Sequence, residues 1–236
     1  LSRGLGDVYK RQFESIPDVP PMARAKMFSQ PEVHRGAHAL RRLTAAQDYQ
    51  EVVNYSFVEA DWERDYAGND TPVRLVNPIA SHLSVMRSSL IGGLIANIRH
   101  NANRKQSRVR LFELGRVFMR DASVEDGPLE VAGVNQPMRL SGAAWGPAVE
   151  EQWGVATRQV DFYDVKMDVE ALFGARGHRL RFEAAAHPAL HPGRSARIEL
   201  DGRAIGWIGE LHPRWAQQAD LAHAPVVFEL LSLIHI

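Results

Sequence analysis

Ala186-His-Pro-Ala-Leu-His-Pro-Gly-Arg-Ser-Ala-Arg-Ile-Glu-Leu-Asp-Gly-Arg-Ala-Ile-Gly-Trp-Ile-Gly-Glu-Leu-His-Pro213 is the stretch on which the fold turns. It begins as an active site would, with two His-Pro pairs and an arginine. It then settles into a β-hairpin. Arg197–Leu200 and Ala204–Glu210 are the arms, and the Asp201-Gly202 pair between them favours a tight type I′ turn. Just upstream, Arg179–Ala184 reads as a strand. Downstream, Pro213 opens a short helix through Ala219, and Val226–Leu230 is a last strand.

Working back toward the N-terminus, Asp164 is placed to cap a helix. Val165, Val169, Leu172 and Phe173 form its apolar stripe, and Gly174 ends it. Met138–Trp145 and Val109–Met119 read as strands, separated by an acidic loop with Gly and Pro over Asp121–Pro137. Ile91, Leu94, Ile95 and Ile98 repeat at helical spacing, with Ser88 or Ser89 as the cap. That helix runs into the cationic segment Arg99–Gln106, which suits the negative end of a helix dipole. Val73–Val76 is a short strand stopped by Asn77-Pro78. Glu51–Val58 alternates and is β-branched or aromatic, hence a strand. Pro31 opens a helix with Val33, Ala37, Leu40 and Leu43 on one face and Arg41 and Arg42 outside. Residues 1–12 carry no sustained period and read as a non-native tail, as do 231–236. Residues 13–32, with Pro17, Pro20 and Pro21, read as an extended linker. One α+β module over 33–230 is expected, its sheet largely antiparallel with helices packed on it.

Composition narrows the class. The 236 residues are 45% hydrophobic and 24% charged, which is the make-up of a globular domain with a substantial core. No apolar run reaches the roughly 18–20 residues that span a bilayer, so no membrane partner is expected. No secretion pattern opens the chain, and a cytoplasmic location is the default. Cysteine is absent, which excludes disulfides, thiolate metal sites and a cysteine nucleophile. The net charge is zero, so any affinity for nucleic acid must come from a local patch.

Three kinds of chemistry compete with structural readings. His187 and His191 are four apart, as two metal ligands on one helical face would be, but Pro188 and Pro192 oppose a helix there. The competing reading gives each His-Pro pair a turn, with the imidazole bonded to backbone carbonyls. Asp161, Asp164, Asp168 and Glu170 cluster near Lys166. Helical spacing would set Asp164 beside Asp168 and raise a pKa, although a cap plus a solvated face is the commoner meaning. Arg99, Arg104, Lys105, Arg108 and Arg110, with His100 among them, make a basic run suited to RNA phosphates or to a partner's carboxylates. No serine elbow and no phosphate-cradling glycine loop occurs, and Gly92-Gly93 reads as a site of close helix packing.

Three segments together resemble the β subunit of bacterial phenylalanyl-tRNA synthetase, in its synthetase-like module. They are Tyr49-Gln-Glu-Val-Val-Asn-Tyr-Ser-Phe57, then Asn77-Pro-Ile-Ala-Ser-His-Leu-Ser-Val-Met-Arg-Ser-Ser-Leu-Ile-Gly-Gly-Leu94 leading to Arg110-Leu-Phe-Glu-Leu-Gly-Arg-Val-Phe118, and last the run from Asp161-Phe-Tyr-Asp-Val-Lys166 to Phe228-Glu-Leu230. The resemblance implies a class II aminoacyl-tRNA synthetase-like antiparallel sheet flanked by helices. It implies a non-catalytic module that packs on the α subunit of an (αβ)2 enzyme. That enzyme charges tRNA(Phe) with phenylalanine, using ATP and Mg2+ held outside this segment. The Gly-x-Gly-x-Gly-x-x-Arg element by which class II sites hold ATP does not occur; Val226-Val-Phe-Glu-Leu230 stands where it would be expected. No catalytic, cofactor-binding or metal residue is therefore expected.

Arg110 and Glu113 resemble a remnant of the family's Arg/Glu strand and are expected to form an internal or subunit ion pair. Met167 departs from the family's usual glycine. Met86, Arg87, Leu90, Leu94 and Ile98 are expected at the subunit interface, and Arg99, Arg104, Lys105 and Arg108 at an RNA or partner contact. The resemblance also implies further domains before and after this segment, so the chain reads as a fragment. The rival readings are a free-standing metal enzyme or hydrolase built on His187 and His191, and an RNA-binding module built on the basic run.

Overall fold

A computed structural model describes residues 36–231. Residues 1–12, the 13–32 linker, Pro31, Val33 and residues 232–236 lie outside the described residues. The elements run α1 (Ala37–Ala46), β1 (Gln50–Glu51), β2 (Phe57–Val58), α2 (Ala60–Trp62, continuing as a π-turn over Glu63–Ala67), β3 (Val85–Met86), α3 (Ile91–Ala102), β4 (Val109–Arg116), β5 (Met119–Arg120), β6 (Val134–Asn135), β7 (Met138–Trp145), α4 (Phe162–Phe173), β8 (Leu180–Ala184), β9 (Leu190–Leu200), β10 (Arg203–Leu211), α5 (Pro213–Gln218) and β11 (Val226–Leu231).

Seven strands form one sheet in the order β1-β4-β7-β11-β10-β9-β8. Only β1–β4 is parallel; every other pair is antiparallel. The expected α+β, largely antiparallel architecture is what forms. The β9–β10 hairpin turns at Asp201 (φ 53°) and Gly202 (φ 79°), the two positive φ values that a type I′ turn demands.

Strand alternation sorts the core into two layers. On one face, Phe112, Leu114, Leu140, Phe228 and Leu230 meet Leu40 of α1 and Val165, Val169 and Leu172 of α4. On the other, Val109, Leu111, Ala143 and Val227 meet Ile91, Leu94, Ile95 and Ile98 of α3 and Trp215 of α5. The paired glycines of α3 let its neighbours close in, as expected. A Cβ at Gly92 would lie 2.9 Å from the Trp62 ring, and one at Gly93 3.0 Å from Asn54.

Several element boundaries differ from the sequence reading. The run expected to be a strand over Glu51–Val58 pairs with β4 only at its start. Val52 N–H still reaches Phe112 C=O at 2.8 Å, after which Asn54 turns inward to Glu113 and the chain leaves the sheet. Val73–Val76 contributes an isolated bridge from Arg74 to Val85, not a strand. The strand from Val109 stops at Arg116, because Phe118 N–H is taken by Arg87 C=O. The cap of α4 is Asp161, not Asp164. Asp161 accepts from the N–H groups of Tyr163 and Asp164, and the Asp164 carboxylate accepts from Asp161 N–H, a reciprocal capping box. At α3 the N-cap is Leu90, with Ser89 Oγ accepting from Ile91 N–H at 3.2 Å.

Candidate functional site

The α3 side of the sheet carries a polar row through its centre. Glu113 of β4, Ser141 of β7 and Glu229 of β11 are register partners across three adjacent strands, all nearly or fully buried. A buried carboxylate is costly unless it is paired and hydrogen-bonded. Each of these is satisfied by the chain itself. Glu113 receives Arg87 Nη1 at 2.6 Å and Asn54 Nδ2 at 2.7 Å, and Asn54 is held in turn by Asn97 of α3 at 2.8 Å. Glu229 accepts from Leu90 N–H at 2.7 Å and Ser89 Oγ at 3.0 Å, and pairs with Arg139. Ser141 Oγ donates to Phe228 C=O at 2.6 Å. A third carboxylate, Glu63, accepts from Ser88 N–H and Oγ and from Asn69. Burial pushes the Glu63 carboxyl above its ordinary range, against the bonds from Ser88 and Asn69.

Three glutamates from α2, β4 and β11 thus pin the segment Arg87–Leu90 onto the sheet and seat the start of α3. Sequence reasoning missed Glu63 and Glu229 as its partners. The nearest of these contacts spans 25 residues and the farthest 140, and no local pattern signals them.

On the α4 side, Arg110 pairs with Asp168 at 2.8 Å, Tyr49 OH donates to the same carboxylate at 2.9 Å, and the guanidinium lies over the Tyr49 ring. Arg110 and Glu113 therefore do not pair with each other. They are three apart on a strand and face opposite layers, so each finds a partner in its own layer. Asp164 and Asp168 are not an acid–base couple. Arg158 bonds and the Asp161 backbone hold Asp164 below the usual carboxylate range, whereas Asp168 is raised, chiefly by burial.

The three His-Pro pairs share one device. Nδ1 of His187 accepts from Ala189 N–H (3.3 Å), that of His191 from Gly193 N–H (3.0 Å) and that of His212 from Arg214 N–H (3.1 Å). Each imidazole bonds a backbone donor two residues on, not a carbonyl as the sequence suggested. The acceptor nitrogen must be unprotonated. Among the described residues no group of three or more His, Cys, Asp and Glu side chains is placed to hold a metal ion.

His187 also packs against the Trp207 ring, 5.0 Å between centroids, and its pKa is lowered, first by burial. A base with a folded pKa below its unfolded value binds fewer protons folded than unfolded. Its contribution is therefore complete above the unfolded value of about 6.5 and is lost as pH falls toward the depressed folded value. Thermal melts from pH 8 to pH 5 should show stability declining below about pH 6.5. In His187→Asn, whose amide oxygen can accept the same N–H, that decline should be shallower. An identical pH profile would remove His187 from the account.

The residues expected at a subunit interface lie differently. Leu90, Leu94 and Ile98 are 0% exposed, spent on this chain's own core. Arg87 is buried against Glu113, and Met86 is half-buried in the β2–β3 ladder. The helical stripe is apolar, as its spacing predicts, but periodicity does not say what covers it. The exposed apolar groups instead include Val53 (89%) and Tyr55 (71%), in the extended run that leaves β1, with Tyr55 stacked on Phe57. In the basic run, Arg108 is taken by Asp48 at 2.6 Å, whereas Arg99, Arg104 and Lys105 are exposed and make no ion pair among the described residues.

The architecture is that of a class II aminoacyl-tRNA synthetase module. The solved structure of Desulfitobacterium hafniense PylSc, a pyrrolysyl tRNA synthetase, superposes with a TM-score of 0.56 over 81% of this chain and 63% of that one, at 12% identity, a likeness of fold alone. The family model described as the phenylalanyl tRNA synthetase beta chain CLM domain matches residues 16–231, and the chain belongs to that family. It is 81% identical over 218 residues to the phenylalanine–tRNA ligase beta subunit of Bordetella bronchiseptica, covering 92% of this chain and 27% of that protein. With the beta subunits of Ralstonia nicotianae and Burkholderia pseudomallei it shares 62% and 60% identity over the same coverage. The chain thus spans 27% of the length of these relatives.

Proposed function

We propose that this chain works as the non-catalytic, synthetase-like module of a phenylalanine–tRNA ligase β subunit, seated against the α subunit of an (αβ)2 enzyme in the cytoplasm. That enzyme charges tRNA(Phe) with phenylalanine, and its ATP and Mg2+ are held outside this module. The observation that carries this reading is the closed polar row. Glu113 and Glu229 stand mid-sheet, and both are consumed by the chain's own Arg87, Arg139, Ser89 and Leu90 N–H. A face that spends its charges on holding its own backbone has none to direct at a nucleotide.

Docking on the α subunit is best served by the run past β1. Val53 and Tyr55 project there beside an edge strand of two residues, offering exposed apolar anchors. The helix α3 stripe is unavailable for this role. The test is co-elution of the purified chain with separately purified α subunit, alongside phenylalanine-dependent ATP–pyrophosphate exchange. The chain should bind α, and Val53→Glu/Tyr55→Glu should weaken that binding at least ~10-fold, a hot-spot loss of about 1.4 kcal/mol or more. Exchange activity from the chain alone would overturn the proposal.

A further inference from the structure

We infer that the C-terminal end of α3 is a docking point for an RNA phosphate backbone, carried by Arg99, Arg104 and Lys105. The patch belongs to the chain's own surface and needs no partnership with an α subunit.

Three observations carry it. First, these cations are exposed and have no carboxylate partner among the described residues, although the chain as a whole balances its 28 basic and 28 acidic side chains. Arg108, next along the run, shows the ordinary fate of such a residue here, neutralised by Asp48. Second, Lys105 sits at φ 64°, in the left-handed region. Its N–H bonds Ala102 C=O while Gln106 N–H reaches back to Asn101 C=O, the paired bonds of a Schellman C-cap. Glycine fills that position at little steric cost, and a side chain there is strained. The chain therefore carries a lysine where backbone geometry favours having no side chain. Lys105 and Arg104 are adjacent, and Arg104 is braced on His100 C=O at 3.2 Å.

Third, the surroundings suit a polyanion better than a protein. Asn101, Asn103, Gln106 and Ser107 supply neutral hydrogen-bonding groups, and the run from Arg99 to Gln106 has no large apolar side chain to form the dry centre of a protein interface. Trp62 and Tyr66, which line a shallow cavity with Arg99, are packed on each other, and Tyr66 on Trp215, so they offer no free face for a base. Recognition is accordingly of phosphates rather than of sequence.

The experiment is fluorescence anisotropy of a labelled, unmodified tRNA transcript titrated with the purified chain at several salt concentrations. Arg104→Ala/Lys105→Ala should bind about tenfold or more weakly, with a log K against log salt slope shallower by about two, one per lost phosphate contact. Arg203→Ala, an exposed arginine far along the sequence, should match wild type. Lys105→Gly separates function from architecture. It should leave Tm unchanged or raise it while still losing affinity, because the strain and the charge leave together. Unchanged affinity and slope in the double variant would overturn the inference, as would wild type that shows no salt-dependent tRNA binding. Loss of α-subunit binding in the same variants, with tRNA binding intact, would assign the patch to protein carboxylates and overturn it equally.

Discussion

Arg87→Met should cost this chain about 3–5 kcal/mol of folding free energy, the usual penalty for breaking a buried ion pair from one side. The reason lies in what is left behind. Glu113 stays in the middle of the sheet with both oxygens out of water, keeping only the bonds from Asn54. The C=O groups of Arg116 and Tyr55 lose their guanidinium donor as well. Two-state urea unfolding measures the loss. The double variant Arg87→Met/Glu113→Leu should recover much of it, because an apolar pair of similar volume needs no compensation there. If the single change costs under about 1 kcal/mol, the pair behaves as a surface bridge and the closed-row interpretation fails.

Gly142→Ala should cost less, but its rescue is more diagnostic. Gly142 faces Phe228 across the β7–β11 ladder, and an added Cβ would lie 2.6 Å from the ring Cζ. Phe228 cannot swing away. It is 1% exposed and packs edge-on to Tyr49, whose hydroxyl is tied to Asp168. Overpacking of this kind costs about 1–3 kcal/mol. Phe228→Leu alone loses packing, yet in combination with Gly142→Ala the extra methyl occupies space that the ring has vacated. The two changes should therefore be strongly non-additive, with a coupling of 1 kcal/mol or more in the protective direction, on the order seen for contacting residues. Simple additivity would mean that the sheet relaxes around the methyl group and that Gly142 is not sterically required.

The sequence was informative where structure is decided within a few residues. Asp201-Gly202 named its turn, the stripe Ile91–Ile98 named its helix, and Pro213 its short one, since each rests on contacts spanning a handful of positions. It misled where a distant group intervenes. Glu51–Val58 alternates as a strand should, but Asn54 is diverted by Glu113, 59 residues away. Arg110 and Glu113 look like a couple on paper, and the pleat sends them to opposite layers. The His-Pro pairs suggest donors to carbonyls, and each imidazole instead accepts from a backbone N–H. The cap of α4 lies one turn before the Asp164 that the sequence favours, because Asp161 and Asp164 both carry the capping chemistry and only the backbone shows which one stands at the boundary. Of the candidate site, the resemblance pointed to the correct module, but the glutamates that fill its sheet face come from three separate elements and leave no local trace.

The polar row also bears on how readily such a fold could change occupation. Removing Arg87 to admit a ligand strands Glu113, and removing Arg139 strands Glu229. Each first step costs a sizeable share of the roughly 5–15 kcal/mol that keeps a domain folded. Intermediates on the way to a reopened cleft are therefore unstable before they are useful. The sheet face acts as a ratchet, easier to hold shut than to reverse by single substitutions.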